Sequence, residues 1–452
     1  MRMLLRRESW LPALLATTLL PAQDGKPRLQ IDDAGLRALV ARAVPAVERA
    51  TGRKFAKPPA VALADVGDVM RSLRDDLQPA TSAFYAGQPQ ARIEKALQFR
   101  ADLFAASLLG KYGVQSRELY VLPHMVGINL AIVKWSDADQ AQVLHLVVLH
   151  ELVHAMQDQE IGLATRLARC TGADSGEALS MLIEGHAVFC SERAATELGI
   201  DAAIAPLRAV FAGAHDPAEM PACDLTTRRL RGHNGMLYLR GTAFFAAEHA
   251  RGGDDRCWEV LRTDLPSTRL VLEGKDLQPR PSLASAFEGI DARLAGRNWT
   301  VGRGELSGLL VRGENARDLE ALEPLLAKWH AGGEWFATAP TPLAWRSLAA
   351  LEFADETTAQ AFAQLVEDGA VRDLRELGGG RLGEVGDGPV VAGAKSRRVA
   401  QELASGAPVG NRASLVLIQK GRHVLQLLCN NAPVDDAVVA AVAAEVLARL
   451  DG

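Results

Sequence analysis

The chain is predicted to be an α+β protein in two parts, and three observations carry that reading. Two long apolar segments at helical spacing, 137–159 and 175–198, sit within the first half of a 452-residue chain. Short β-branched or apolar runs flank them, at 60–63, 119–122 and 128–133, and recur later at 345–353, 414–419 and 424–429. Between the two groups the register changes around Gly302, Gly304, Gly308 and Gly313, which places a boundary near residue 300. The first domain is therefore expected over 23–298 and a C-terminal α+β domain over 300–452. With 48% hydrophobic and 23% charged residues, the chain can bury real cores in both.

Each element follows from local pattern. Arg2, Arg6 and Arg7, the apolar residues 11–20 and the small-residue end Pro21-Ala22 read as an export signal over 1–22. Its apolar run is shorter than the roughly 20 residues a spanning helix needs. No later segment is long and apolar enough to span, so no integral membrane segment is expected after signal removal, and the expected location is secreted or periplasmic. Leu36, Leu39, Val40, Ala43, Val44 and Val47 predict a helix over 33–51, which Lys57-Pro58-Pro59 separates from a strand at 60–63. A mixed helical stretch runs to residue 109, and the strands at 119–122 and 128–133 precede the first long helix. Ser136-Asp137 can cap that helix, Gly162 lies just beyond its end, and Leu144, Val147, Val148, Leu152 and Val153 would bury it.

In the second part, 316–330 reads as helix, 345–353 as strand, 356–366 as helix, and 433–450 as a last helix. The strands 414–419 and 424–429 are joined by Lys420-Gly421-Arg422-His423. The segment 378–388 reads as a mobile loop, and no sustained repeat is found.

Several function classes are disfavoured. A net charge of −5 and a pI near 6.1 leave no electrostatic footprint for nucleic acid. The five cysteines, Cys170, Cys190, Cys223, Cys257 and Cys429, have no CxxC spacing and form no zinc ribbon. Four of them lie between 170 and 257, where one or two disulfides could form in an oxidising compartment; Cys190 can equally be a small core residue. No GxSxG occurs, and Gly378-Gly379-Gly380 lacks the setting and the lysine of a phosphate loop.

The chemistry concentrates at His150-Glu151-Leu152-Val153-His154. Four residues apart, the two imidazoles lie one turn above each other on a helix, with Glu151 about 100° round. With 10 His in the chain, random order would produce roughly 0.01 such matches, so coincidence is a weak rival. A catalytic zinc takes three protein ligands and keeps a fourth position open. Glu184 is the preferred third ligand, 30 residues after His154 in Leu182-Ile183-Glu184-Gly185-His186-Ala187, because a carboxylate on an apolar helix is costly unless paired or metal-bound.

Alternatives stand beside it. Glu177, seven residues earlier, shares nearly the same face, and His186 points to a different side. Asp158 is either a carboxylate that orients a ligand or a polar helix-end residue. Glu151 takes the role of general base. Tyr238 and His233 are candidates to stabilise an oxyanion, although such a Tyr is often a core residue with a tethered hydroxyl. His124, His145, His249, His330 and His423 stand alone and read as surface or satisfied core residues.

With these residues in view, the sequence resembles the glutamate-liganded zinc peptidases, the gluzincin group. More closely, His150 to Gln159 resembles the HELTHALQDQ signature of a family of largely uncharacterised exported bacterial proteins. In that family an EGxA element, a Tyr-x-x-Gly element and a Pro-Ser-Thr element follow, matched here by Glu184 to Ala187, Tyr238 to Gly241 and Pro266-Ser267-Thr268. The resemblance covers about residues 100–290 and, more weakly, 351–362. It implies a zincin-like catalytic domain with a buried motif helix, Zn2+ at His150, His154 and Glu184, and Glu151 as base. Two departures exist. Val153 replaces the usual Thr, at a position that is not a ligand, and the histidine-proline after the Pro-Ser-Thr element is absent.

Two functions are thus expected to compete. The first is an exported zinc peptidase that hydrolyses a peptide or protein substrate. The second is a zincin-fold binding or scaffold protein with weak or no turnover. The intact Glu151 favours the enzyme, since a decayed site has no chemical need of a base.

Overall fold

The computed structural model describes residues 31–84, 90, 93–94, 97–98, 101, 108–123, 137–169, 173–205, 207–208, 235–264, 266–274, 280–296, 299–306, 311, 318–339, 344–376, 380–403, 412–430 and 432–451. The expected export signal, the expected strand at 128–133 and His233 lie outside the described residues. The chain is a mixed α+β protein.

Helix α1 spans Asp33–Thr51, begins where the Asp32 side chain accepts from the Gly35 N–H, and stops at Gly52 with φ of 64°. Strand β1 is Ala60–Leu63 and helix α2 is Val66–Phe84. Strands β2, Gly110–Gly113, and β3, Glu118–Val121, complete a three-stranded sheet in the order β1-β3-β2, with β1 parallel and β2 antiparallel to β3. Asp76 of α2 holds the β2–β3 turn by accepting from the Val114 and Gln115 N–H groups, and it pairs with buried Lys111 of β2.

The motif helix α3 runs over Asp137–Ile161, and α5 over Ala173–Glu197, with the short α4, Leu163–Arg169, between them. Leu144, Val148, Leu149, Leu152, Val153 and Met156 of α3 are fully enclosed, as are Met181, Leu182 and Ala194 of α5, so both are central helices. A π-turn, Met236–Arg240, leads into α6, Gly241–Leu261, which breaks direction at Gly252-Gly253. Helices α1, α3, α5 and α6 share one core. Helix α7, Thr268–Glu273, is pinned to the start of α5: buried Thr268 donates its backbone N–H and its hydroxyl to Asp174.

After α8, Asp291–Leu294, the C-terminal part is a seven-stranded antiparallel sheet. Its strands are β4 Thr300–Glu305, β5 Trp329–Thr338, β6 Trp345–Phe353, β7 Gly380–Asp387, β8 Lys395–Leu403, β9 Arg412–Lys420 and β10 His423–Asn430, in the order β4-β5-β6-β10-β9-β8-β7. Helices α9, Leu319–Leu326, and α10, Glu356–Glu376, cover one face. Helix α11, Asp436–Asp451, and residues 283–294 cover the other, so this core recruits chain ahead of the boundary expected near residue 300.

Two segments differ from the pattern expected of them. The segment 378–388 is not a loop: Gly380–Asp387 pairs with Lys395–Leu403 as an edge strand, ordered by ladder hydrogen bonds that its glycine-rich pattern does not advertise. The helix expected to reach His330 ends at Leu326, because Trp329 and the residues after it pair with both neighbouring strands. The glycines of β5 make room for neighbours, since a Cβ on Gly333 would collide with the Leu283 backbone.

Candidate metal centre

Helix periodicity places His150 and His154 on one face of α3, and the packing of α5 against α3 brings Glu184 to that face. Their donor atoms form a nearly equilateral triangle. His150 Nε2 and His154 Nε2 are 3.0 Å apart, and Glu184 Oε2 lies 3.3 Å from the first and 3.4 Å from the second. An ion with bonds of about 2.0–2.1 Å in tetrahedral geometry separates its ligand atoms by about 3.3–3.4 Å. The three side chains therefore fit a metal ion without rearrangement, and they are the group among the described residues that could hold one. The imidazoles are nearly enclosed at 11% and 12% exposure, while the Glu184 side chain keeps 26%, so the triangle is open on the carboxylate's side.

Electrostatics match the geometry. Burial opposes charge on His154, but the Glu184 carboxylate, with Glu151 and Gln157, outweighs it and raises the imidazole to about 9. Burial likewise works against ionised Glu184, and the two imidazoles override it, holding the carboxyl well below the usual range. A divalent cation would take over the role of the shared proton, which is why these groups suit one.

No protein-family model, curated protein or solved structure matches this chain.

Glu151 is buried beside the triangle, and one of its carboxylate oxygens accepts from the Tyr112 N–H of β2 at 2.6 Å. That bond clamps the side chain against the small sheet. The Tyr238 ring lies 6.4 Å from the His150 ring, centre to centre, so the phenol borders the site. It stands on the π-turn ahead of α6, an irregularity frequent at functional sites. The turn is held close by two glycines: a Cβ on Gly185 would collide with the backbone of Gly241, and one on Gly241 with the Met181 carbonyl. Glu184-Gly185 and Tyr238 to Gly241, distant in sequence, are thus parts of one contact.

The alternative ligands fall elsewhere. Glu177 is fully buried but does not join the triangle. His186 is enclosed by Phe245 and Trp258, and burial, then His154 and Arg193, lowers it to about 3. Asp158 orients no ligand. It accepts from the Leu163 N–H and the Tyr112 hydroxyl, which makes it the helix-end residue. His145 is not satisfied as expected, for its Nε2 is buried with no partner among the described residues. Cys190, Cys257 and Cys429 are buried free thiols, whereas Cys170 and Cys223 lie outside the described residues.

Sequence reasoning missed Gln157 and Tyr112. Gln157 stands three residues after His154, on the same face, and that spacing was the available signal. Tyr112 touches the site through its backbone, which no side-chain pattern reveals.

Proposed function

We propose that the chain is an exported zinc-dependent peptidase with a zincin-like domain over the first core. The observation that carries this reading is the donor triangle of His150, His154 and Glu184 with the Glu151 carboxylate clamped beside it. Two imidazoles and one carboxylate are the donor set of a catalytic zinc with an open position. No helix among the described residues is long and apolar enough to cross a membrane.

When bound, zinc supplies Lewis-acid polarisation of the attacking water and the scissile carbonyl. Glu151 takes the water's proton through the carboxylate oxygen not engaged by Tyr112, and delivers it to the departing nitrogen. The Tyr238 hydroxyl donates to the oxygen that gains charge as the carbonyl becomes tetrahedral. His150, His154 and Glu184 keep their donors converged and need no reorganisation during the reaction.

Elemental analysis of the purified chain should find about one zinc, lost on His150→Ala. The same donors also accept iron, and finding iron would redirect the reading to oxygen chemistry. Against a peptide library, Glu151→Gln should keep zinc and lose hydrolysis by about three orders of magnitude or more. Zinc without hydrolysis in the natural chain would favour the binding or scaffold role.

A further inference from the structure

Gln157 is fully buried, and its three hydrogen-bond partners assign themselves in sequence. The Ile183 backbone carbonyl, 2.8 Å from Gln157 Nε2, can only accept, so the amide nitrogen must face it. The amide oxygen then faces His154 Nδ1 at 2.8 Å, and because an amide oxygen can only accept, Nδ1 must carry the proton. His154 Nε2 faces the donor triangle, and it is the nitrogen that gives up its proton when a metal binds there. The second N–H of Gln157 meets His186 Nδ1 at 3.2 Å, which must accept, so neutral His186 carries its proton on Nε2, 3.4 Å from Cys190 Sγ.

We propose that Gln157 is the positioning residue of the metal centre: its carboxamide, locked by the Ile183 carbonyl and His186, holds His154 as the Nδ1–H form with Nε2 presented to the metal. Because Ile183 precedes Glu184, the same side chain ties the α3 ligand to the backbone that carries the α5 ligand. Ligating histidines generally need such a partner on the second nitrogen, and its loss weakens metal binding about 10–100-fold. This inference rests on the metal reading above.

The test uses the full chain and zinc itself. Gln157→Met keeps the volume of the side chain and removes its polar end, while Gln157→Glu restores an acceptor for His154. By chelator competition, Gln157→Met should bind zinc about 10–100-fold more weakly, and Gln157→Glu, which keeps the acceptor for His154 but offers no donor to the Ile183 carbonyl or His186, should fall between the two and shift the His186 proton to Nδ1. Nitrogen-15 spectra of the natural chain should show His154 protonated on Nδ1 when zinc is bound. They should show His186 protonated on Nε2 with or without zinc, and Gln157→Met should disperse the His186 preference. Equal zinc affinity in the natural chain and a folded Gln157→Met, or His186 protonated on Nδ1 in the natural chain, overturns the proposal. If Gln157→Met does not fold, Gln157→Glu decides: a His186 that keeps its proton on Nε2 in that variant overturns the proposal. A natural chain that binds no zinc overturns the metal reading instead, and the His186 spectrum still reports whether the Gln157 amide is oriented as described.

Discussion

His145 carries a cost that the described residues around it do not offset. Burial, reinforced by Arg42, lowers its imidazole to about 4, and its Nε2 has no partner among the described residues. The folded chain keeps it neutral, whereas the unfolded chain takes up a proton near pH 6.5. Its contribution is therefore fully present above about pH 6.5 and is lost as pH falls toward 4, amounting to about 3 kcal/mol across that window. Urea unfolding at pH 7 and pH 4.5 should show a smaller acid loss in His145→Leu than in the natural chain; identical pH slopes would contradict the assignment. At Asp76 the logic is different. Removing it with Asp76→Ala strands the buried Lys111 charge and two turn N–H groups, at a cost of about 3–5 kcal/mol measurable in the same titration.

At the scale of elements, the decisive contact is between α5 and α6. Gly185 and Gly241 face each other backbone to backbone, so a methyl group on either pushes the helices apart and moves Glu184 and Tyr238 with them. Gly241→Ala should destabilise by about 3 kcal/mol and weaken zinc binding as well. Gly162 provides the contrast. Its φ of 64° is strained for other residues, yet nothing lies where a Cβ would sit. Gly162→Ala should cost about 1 kcal/mol and leave zinc affinity unchanged. Comparable zinc loss in both variants, read by competition with a chelator, would mean that the close approach has no bearing on the site. The Pro266-Ser267-Thr268 element also works at this scale, since Thr268 anchors α7 to Asp174 at the beginning of the helix that carries Glu184.

For the whole molecule, the two cores are expected to respond separately to metal. The donor triangle ties α3 to α5 inside the first core, while the seven-stranded sheet packs its own helices and, among the described residues, contributes no donor to it. Arg280 links the two, pairing with Glu273 at 2.9 Å, donating to the Trp329 carbonyl and lying 4.3 Å over the Trp329 ring. Free zinc at 1,000 times its Kd adds about 4 kcal/mol to whatever unfolds with the site. Hydrogen exchange should therefore slow in α3 and α5 on zinc addition, with β5, β6, β9 and β10 unmoved. Uniform protection across the chain would show instead that the two cores unfold as one unit.

Local pattern was enough to find α1, α3 and α5, the pairing of His150 with His154, and the position of Glu151, because a period of 3.6 residues is written locally, whereas α6 carried no such reading. Glu184 was legible too, as a carboxylate on an apolar helix, but its choice over Glu177 was decided by where α5 packs on α3. The glycine-rich strand at 380–387 and the strand Trp329–Thr338 escaped the pattern, since their order comes from cross-strand hydrogen bonds made by partners elsewhere in the chain. The same holds for Gln157, Tyr112 and the meeting of Gly185 with Gly241. Spacing along a helix specifies which side chains share a face; only tertiary packing decides which backbone carbonyl, N–H or glycine from another element that face meets.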